Sequence, residues 1–130
     1  MPDPTPRPIA RWILGLLALA FGAATLKSGG AVLFGDGAAR AAAGQVVEWV
    51  LWFNFCAGFL YVAAGAATLA NRRPALWLAQ ALAVATLAVF AALAIHIARG
   101  GPHEARTVIA MTVRSLFWVG QALALRRLLR

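Results

Sequence analysis

Four apolar runs, separated by short polar punctuation, set the architecture of this chain. They extend from Trp12 to Leu26, with Ile9 to Arg11 leading in, then Trp49 to Ala70, Ala75 to Ala98, and Thr107 to Leu125. With its flanks, each run supplies about 20 helical residues, enough to cross a hydrocarbon layer of about 30 Å. Lipid offers free backbone groups no partner, so runs of this kind must be helical. The pattern predicts one all-α domain over residues 1–130, an integral membrane four-helix bundle with antiparallel, up-down topology. Helices are expected at about 9–27, 46–70, 74–98 and 104–126, with an outer loop over 28–45.

The punctuation refines this outline. Met1 to Pro8 hold four prolines and read as an extended tail. Gly29-Gly30 and Gly35-Asp36-Gly37 are turn signals on either side of Val32-Leu33-Phe34. Two readings of that loop stand side by side: an ordered lid, or an interfacial hairpin dipping Phe34 among lipid headgroups. Ala38 to Ala43 suit a short helical turn leading into the second span. The short Arg72-Arg73-Pro74 and Arg99-Gly100-Gly101-Pro102 links make spans two and three, then three and four, antiparallel neighbours. Trp12, Trp49, Trp52 and Trp77 fall near span ends, where amphipathic rings favour an interface. The first run also has the basic start and Ala18-Leu19-Ala20 site of a cleavable leader. Its apolar pattern continues to Leu26, however, and Ala18 and Gly22 form a small-xxx-small pair suited to close helix contact. A retained first helix is the expectation.

Composition excludes an ordinary soluble domain. The chain is 62% hydrophobic and 12% charged, against roughly 25% charged in soluble proteins. Its net charge of +8 could suggest nucleic acid, but the placement of the cations argues otherwise. Arg7, Arg11, Arg72, Arg73, Arg126, Arg127 and Arg130 fall on one side of the expected topology; Lys27, Arg40, Arg99 and Arg106 fall on the other. Asp36, Glu48 and Glu104 accompany the smaller group. The positive-inside bias then places both termini in the cytoplasm and reads the basic clusters as topology signals. The single cysteine, Cys56, forms no internal disulfide and reads as a small packing residue.

Candidate chemistry centres on the fourth run. At 100° per residue, Thr107, Ala110, Met111, Arg114, Trp118 and Gln121 share one face, with Arg106 at its edge. A charge at the depth of Arg114 costs at least ~2.5 kcal/mol on insertion scales, so this face should look into the bundle. Arg114 either grips an anionic or carbonyl-bearing ligand, such as a quinone head, or ties helices together through carbonyls or an acid. In span two, Asn54, Gly58, Tyr61 and Gly65 share a small, polar face, while Trp52, Phe55 and Phe59 look outward to lipid. Glu48 falls on the aromatic side by periodicity, yet its position at the helix start leaves a Glu48–Arg114 pair as a hypothesis.

His96, His103, Glu104 and Arg106, with Glu48 and Asn54, gather at the outer ends of the spans. Their spacing matches no standard metal-ligand motif, so no metal site is expected, and Glu104 suits the first turn of span four by complementing its dipole. A proton relay through His96 and Glu48 is an alternative use of the same residues. No paired nucleophile, phosphate loop, GxGxxG or HExxH is present, so the chain is not expected to act as an enzyme alone.

The layout resembles the DoxX-like family of small four-span bacterial membrane proteins. The matching features are Arg11-x3-Gly15, Gly22 and Lys27 around span one, Ala64-Gly65 and Leu69 closing span two, Arg72-Arg73, and a histidine late in span three. His96 to Arg114 looks like a subgroup's own feature. The resemblance implies a multi-pass protein of the bacterial inner membrane; some such proteins are small subunits of quinone-linked sulfur oxidation. It leads to an accessory or quinone-handling subunit of a membrane redox system, with lipid, a partner subunit or a second copy as neighbours and no nucleic acid. The alternatives are a non-catalytic assembly protein and a small proton-coupled transporter, though no inverted repeat or broken helix marks the latter.

Overall fold

The computed structural model describes residues 6–128, and every regular element among them is helical. The elements are α1 (Pro6–Phe34), α2 (Ala38–Ala43), α3 (Glu48–Leu69), α4 (Pro74–Ala98) and α5 (Ala105–Leu128). The four long ones are each long and apolar enough to cross a membrane. α1 packs chiefly on α3, α3 on α4 and α4 on α5, while α5 only grazes α1.

Two helix ends are built alike. After α3, Asn71 takes a left-handed conformation (φ 57). The Arg72 amide donates to Ala67 and the Asn71 amide to Thr68, a Schellman closure of the last carbonyls. After α4, Gly100 (φ 79) does the same, with Gly101 bonding to His96 and Gly100 to Ile97. Pro74 then opens α4 where its missing amide proton costs nothing.

The first helix departs from expectation at both ends. Pro6 and Pro8, placed in the tail by the sequence pattern, join its first turn, where proline is tolerated; residues 1–5 of that tail lie outside the described residues. At the other end α1 runs through Ser28-Gly29-Gly30 to Phe34, so the expected loop from 28 begins only at Gly35. Packing overrides the turn signal here. Phe55 lies against both glycines, where a Cβ would come within 3.2 Å of it at Gly29 and 3.5 Å at Gly30, and Ser28 Oγ donates to the Ala24 carbonyl at 2.9 Å. Phe34 is therefore no hairpin tip. It ends the helix edge-on to Trp52 and Phe55. Gly35-Asp36-Gly37 does make the turn, with Asp36 accepting from the Ala38 amide.

What sets the helix pair α1–α3 is small residues on both sides. Gly15, Ala18, Gly22 and Thr25 form one buried stripe of α1; Gly58, Tyr61, Gly65 and Thr68 lie on the buried face of α3. The helices run antiparallel, so Gly15 meets Gly65 and Gly22 meets Gly58 at nearly backbone contact. A Cβ on Gly65 would stand 2.9 Å from the Leu19 nitrogen and 3.0 Å from the Gly15 carbonyl oxygen. A cut after Ala20 would sever α1 in the middle of this interface.

Apolar side chains face outward as well as inward, and the interior also takes polar ones. The buried set includes Thr25, Thr68, Thr86, Ser115 and Gln121, while Leu16, Leu17, Leu60, Val84, Leu116 and Leu123 are about half exposed or more. Only 22–33% of each span's most apolar window is buried within the bundle. An apolar surface this continuous far exceeds the patches soluble monomers carry. Trp12, Trp49, Trp52 and Trp77 are exposed near helix ends, whereas Trp118 is fully buried. Cys56 differs from its expected packing role: it is exposed, on an apolar groove of about 330 Å³ between α3 and α4.

Two substitutions should separate close contact from mere helix content. Gly65→Leu is expected to destabilise the bundle by at least about 1–3 kcal/mol through overpacking against α1. Gly120→Ala, with open space around its Cβ position, should be neutral or stabilising by up to about 1 kcal/mol. Thermal melts of the purified protein in one detergent check both signs.

Candidate functional site

The buried stripe of α5 consists of Met111, Ser115, Trp118, Gln121 and Leu125, with Arg114 on its flank. From there the arginine reaches across the bundle to the α1–α3 pair. Its Nη1 donates to Thr25 Oγ1 at 2.9 Å and, at 3.4 Å, to the Tyr61 hydroxyl. The guanidinium carbon lies 5.1 Å from the Phe21 ring centroid and 5.8 Å from that of Tyr61, within cation–π range. Below the arginine the rings close ranks: Phe21 packs on Phe117 at 4.8 Å and on Tyr61 at 5.3 Å, and Tyr61 packs on Trp118 at 4.9 Å. Arg114 thus rests on an aromatic floor.

Above it opens a cavity of about 410 Å³ between α1, α3, α5 and the α2 connection. Its wall is mainly apolar, with Val47, Val50, Phe55 and Ile109 among the lining residues; Thr25, Asn54, Glu104, Arg106, Thr107 and Arg114 supply the polar points. The size falls in the range of small-molecule pockets, which are largely apolar with a few placed polar groups. Two polar atoms on these lining residues are buried without a hydrogen-bond partner, Arg114 Nε and Asn54 Oδ1. Unpaired buried polar atoms are costly, and a ligand or water is the usual remedy.

Arg114 has no carboxylate partner among the described residues. Each acid there is engaged elsewhere: Asp36 with the Ala38 amide, Glu104 Oε1 with the Gln45 amide at 2.8 Å, and Glu48 in an ion pair with Arg40. The Glu48–Arg114 pair raised by the sequence is therefore not formed. α2 brings Arg40 beside Glu48 at the start of α3, and both side chains remain well exposed. Glu48 does not line the cavity.

The other candidates sort by position. Asn54, Glu104, Arg106 and Thr107 share the cavity with Arg114, and Tyr61, Trp118 and Gln121 lie beneath or behind it. Gln121 Nε2 donates to the Leu14 carbonyl at 2.9 Å, fastening α5 to α1. Glu104 precedes α5 rather than lying in its first turn, and its carboxylate holds the loop amide. Arg106 Nη2 donates to the Ala42 carbonyl at 3.1 Å. Together these two bonds tie the α2 connection across the start of α5. His96 and His103 stay outside the cavity. His96 Nε2 bonds with the Pro102 carbonyl oxygen and His103 Nδ1 with that of Gly101, so both serve their own turn. Among the described residues, no three His, Cys, Asp or Glu side chains gather as a metal site would require.

Sequence reasoning missed Thr25 and Phe21. Thr25 does carry a signal, since it continues the Gly15, Ala18, Gly22 stripe by one helical step. Phe21 carried no comparable signal, because a phenylalanine in an apolar span is indistinguishable from its lipid-facing neighbours. Comparison with protein-family models, with characterised proteins and with solved structures finds no match to this chain.

A double-mutant cycle checks the partner assignment. Thr25→Val with Arg114→Gln should show a coupling of about 0.5–3 kcal/mol, as expected for groups in one hydrogen bond. Glu48→Gln with Arg114→Gln should add within about 0.5 kcal/mol. Denaturation midpoints of the four single and double variants supply both numbers.

Proposed function

We propose that this chain is a small multi-pass membrane protein whose Arg114 cavity holds the polar head of an apolar ligand, on behalf of a membrane redox system. The carrying observation is the arginine itself: a cation without an acid partner among the described residues, with one buried donor unpaired, at the floor of a mostly apolar cavity. A quinone head fits these residues. Arg114 would hold a ring oxygen beside Thr25, and Phe55, Val50 and Ile109 would flank the apolar body. A bound quinone supplies electron and proton carriage that no side chain here can. The protein's part is to position the head and exclude water around it.

The likeness to DoxX-like proteins supports an accessory, non-enzymatic subunit in a bacterial inner membrane, with a redox partner or a second copy beside it. The excess of arginines at the end carrying Arg11, Arg72, Arg73, Arg126 and Arg127 supports cytoplasmic termini. A second reading has its own observation. Arg114 touches α1 and α3 from α5, so it also serves as a tie in a purely structural assembly protein.

Extraction of organic-soluble material from protein purified in mild detergent distinguishes the two. The ligand reading expects copurified quinone in near-stoichiometric amount, reduced at least about ten-fold in Arg114→Ala while helical content is retained, a loss of about 1.4 kcal/mol in binding. A quinone-free protein whose Arg114→Ala variant merely melts earlier would support the structural reading.

A further inference from the structure

Arg114 lies in a bundle whose described carboxylates each bond elsewhere. Asp36 and Glu48 do not line the cavity, and Glu104 turns its Oε1 to the Gln45 amide. The neutral partners Thr25 and Tyr61 both use the same nitrogen, Nη1. Nε is buried and unpaired. Arg114 lines the cavity and its Nη2 makes no hydrogen bond among the described residues, which leaves a charged donor for an anion. Arg106 lines the same cavity, so its cations outnumber its one acid.

Neutral carbonyls would satisfy the unpaired donor, but they would leave the charge uncompensated. That difference grows with the apolar share of the wall, because Coulomb interactions strengthen as the local dielectric falls. The rest of the cavity selects against small hydrophilic anions. Val47, Val50, Phe55 and Ile109 offer them nothing, and a volume of about 410 Å³ corresponds to more than a dozen water volumes at about 30 Å³ each.

We infer that the Arg114 cavity selects an anionic amphiphile: an oxygen anion, either a carboxylate or the ionised hydroxyl of a hydroxyquinone, on an apolar body of ring or short-chain size. The anion sits on the free edge of Arg114 beside Thr25, and the body lies along α3 and α5 toward Ile109, which is 61% exposed. This rests on the cavity being the ligand site proposed above; it adds the charge of the head.

The test uses the full chain in a non-ionic detergent, with empty micelles as the blank. Two rings of nearly one shape are compared by equilibrium dialysis: 2-hydroxy-1,4-naphthoquinone, ionised at neutral pH, and 1,4-naphthoquinone, which is neutral. Sodium decanoate and decanol form a second such pair. The ionised member of each pair is expected to bind at least about ten-fold more tightly, and Arg114→Gln should bring the members to within about two-fold. Because that variant can fail to fold, the wild-type comparison stands alone, and competition of decanoate against the hydroxyquinone serves as a second measurement. Equal affinity within both pairs overturns the inference while leaving a neutral quinone site intact. Binding of decanoate over decanol without binding of either quinone sustains the anion site and removes the quinone reading. No binding by any of the four removes both.

Discussion

A half-buried guanidinium that meets no carboxylate among the described residues constrains this bundle more than any other group. A charge drawn partly out of water needs polar or π partners to offset its lost hydration. The fold meets that demand piecemeal. α1 contributes the Thr25 hydroxyl and the Phe21 ring, and α3 contributes the Tyr61 hydroxyl and ring face. None of these is an anion, so the compensation is partial. The aromatic floor of Phe21, Tyr61, Phe117 and Trp118 closes one side. What remains of the arginine's demand is directed at the cavity.

That arrangement depends on how closely α1 can approach α3. Thr25 and Tyr61 converge on one nitrogen because Gly22 and Gly58, and Gly15 and Gly65, let the two backbones nearly touch. Larger residues would push α1 outward and take Thr25 away from Arg114. The glycines therefore act on the site through position alone. Gln121 repeats the theme below, bonding α5 to the Leu14 carbonyl. Where hydrophobic burial cannot drive helix association in lipid, close packing and such interhelical bonds must supply it.

Much of this was legible in the chain, and the failures have physical causes. Hydropathy marks the four helices because each is a long apolar run bounded by polar or glycine-bearing turns. The face of α5 carrying Arg114, Trp118 and Gln121 follows from helical periodicity, as does the Gly58–Tyr61–Gly65 face of α3. Local signals misled where tertiary contact outweighed them. Ser28-Gly29-Gly30 reads as a turn, yet packing against Phe55 keeps it helical. Glu48 reads as a partner for Arg114 only while the position of α2 is unknown; once α2 is placed, Arg40 is nearer. Cys56 reads as core because its neighbours are apolar, but in a protein with an apolar exterior that inference fails. The His96 and His103 bonds to their own turn depend on a chain reversal whose details no spacing encodes.

The two ends of the bundle differ in what holds them. At the end with the short α3–α4 turn, a Schellman closure leads directly into Pro74, and the buried residues Ala75, Thr68 and Leu125 pack there. At the other end the α2 connection lies over the cavity on single ties: Glu104 to the Gln45 amide, Arg106 to the Ala42 carbonyl, and the exposed Arg40–Glu48 pair. Exposed pairs of that kind contribute about 0–1 kcal/mol, whereas disturbing the α1–α3 contact strains packed backbone. These exposed ties thus lie beside an arginine that no described carboxylate meets. Local opening follows the cheapest contacts, and beyond these polar ties the connection is held by Val47, buried with Val50, Leu93 and Met111.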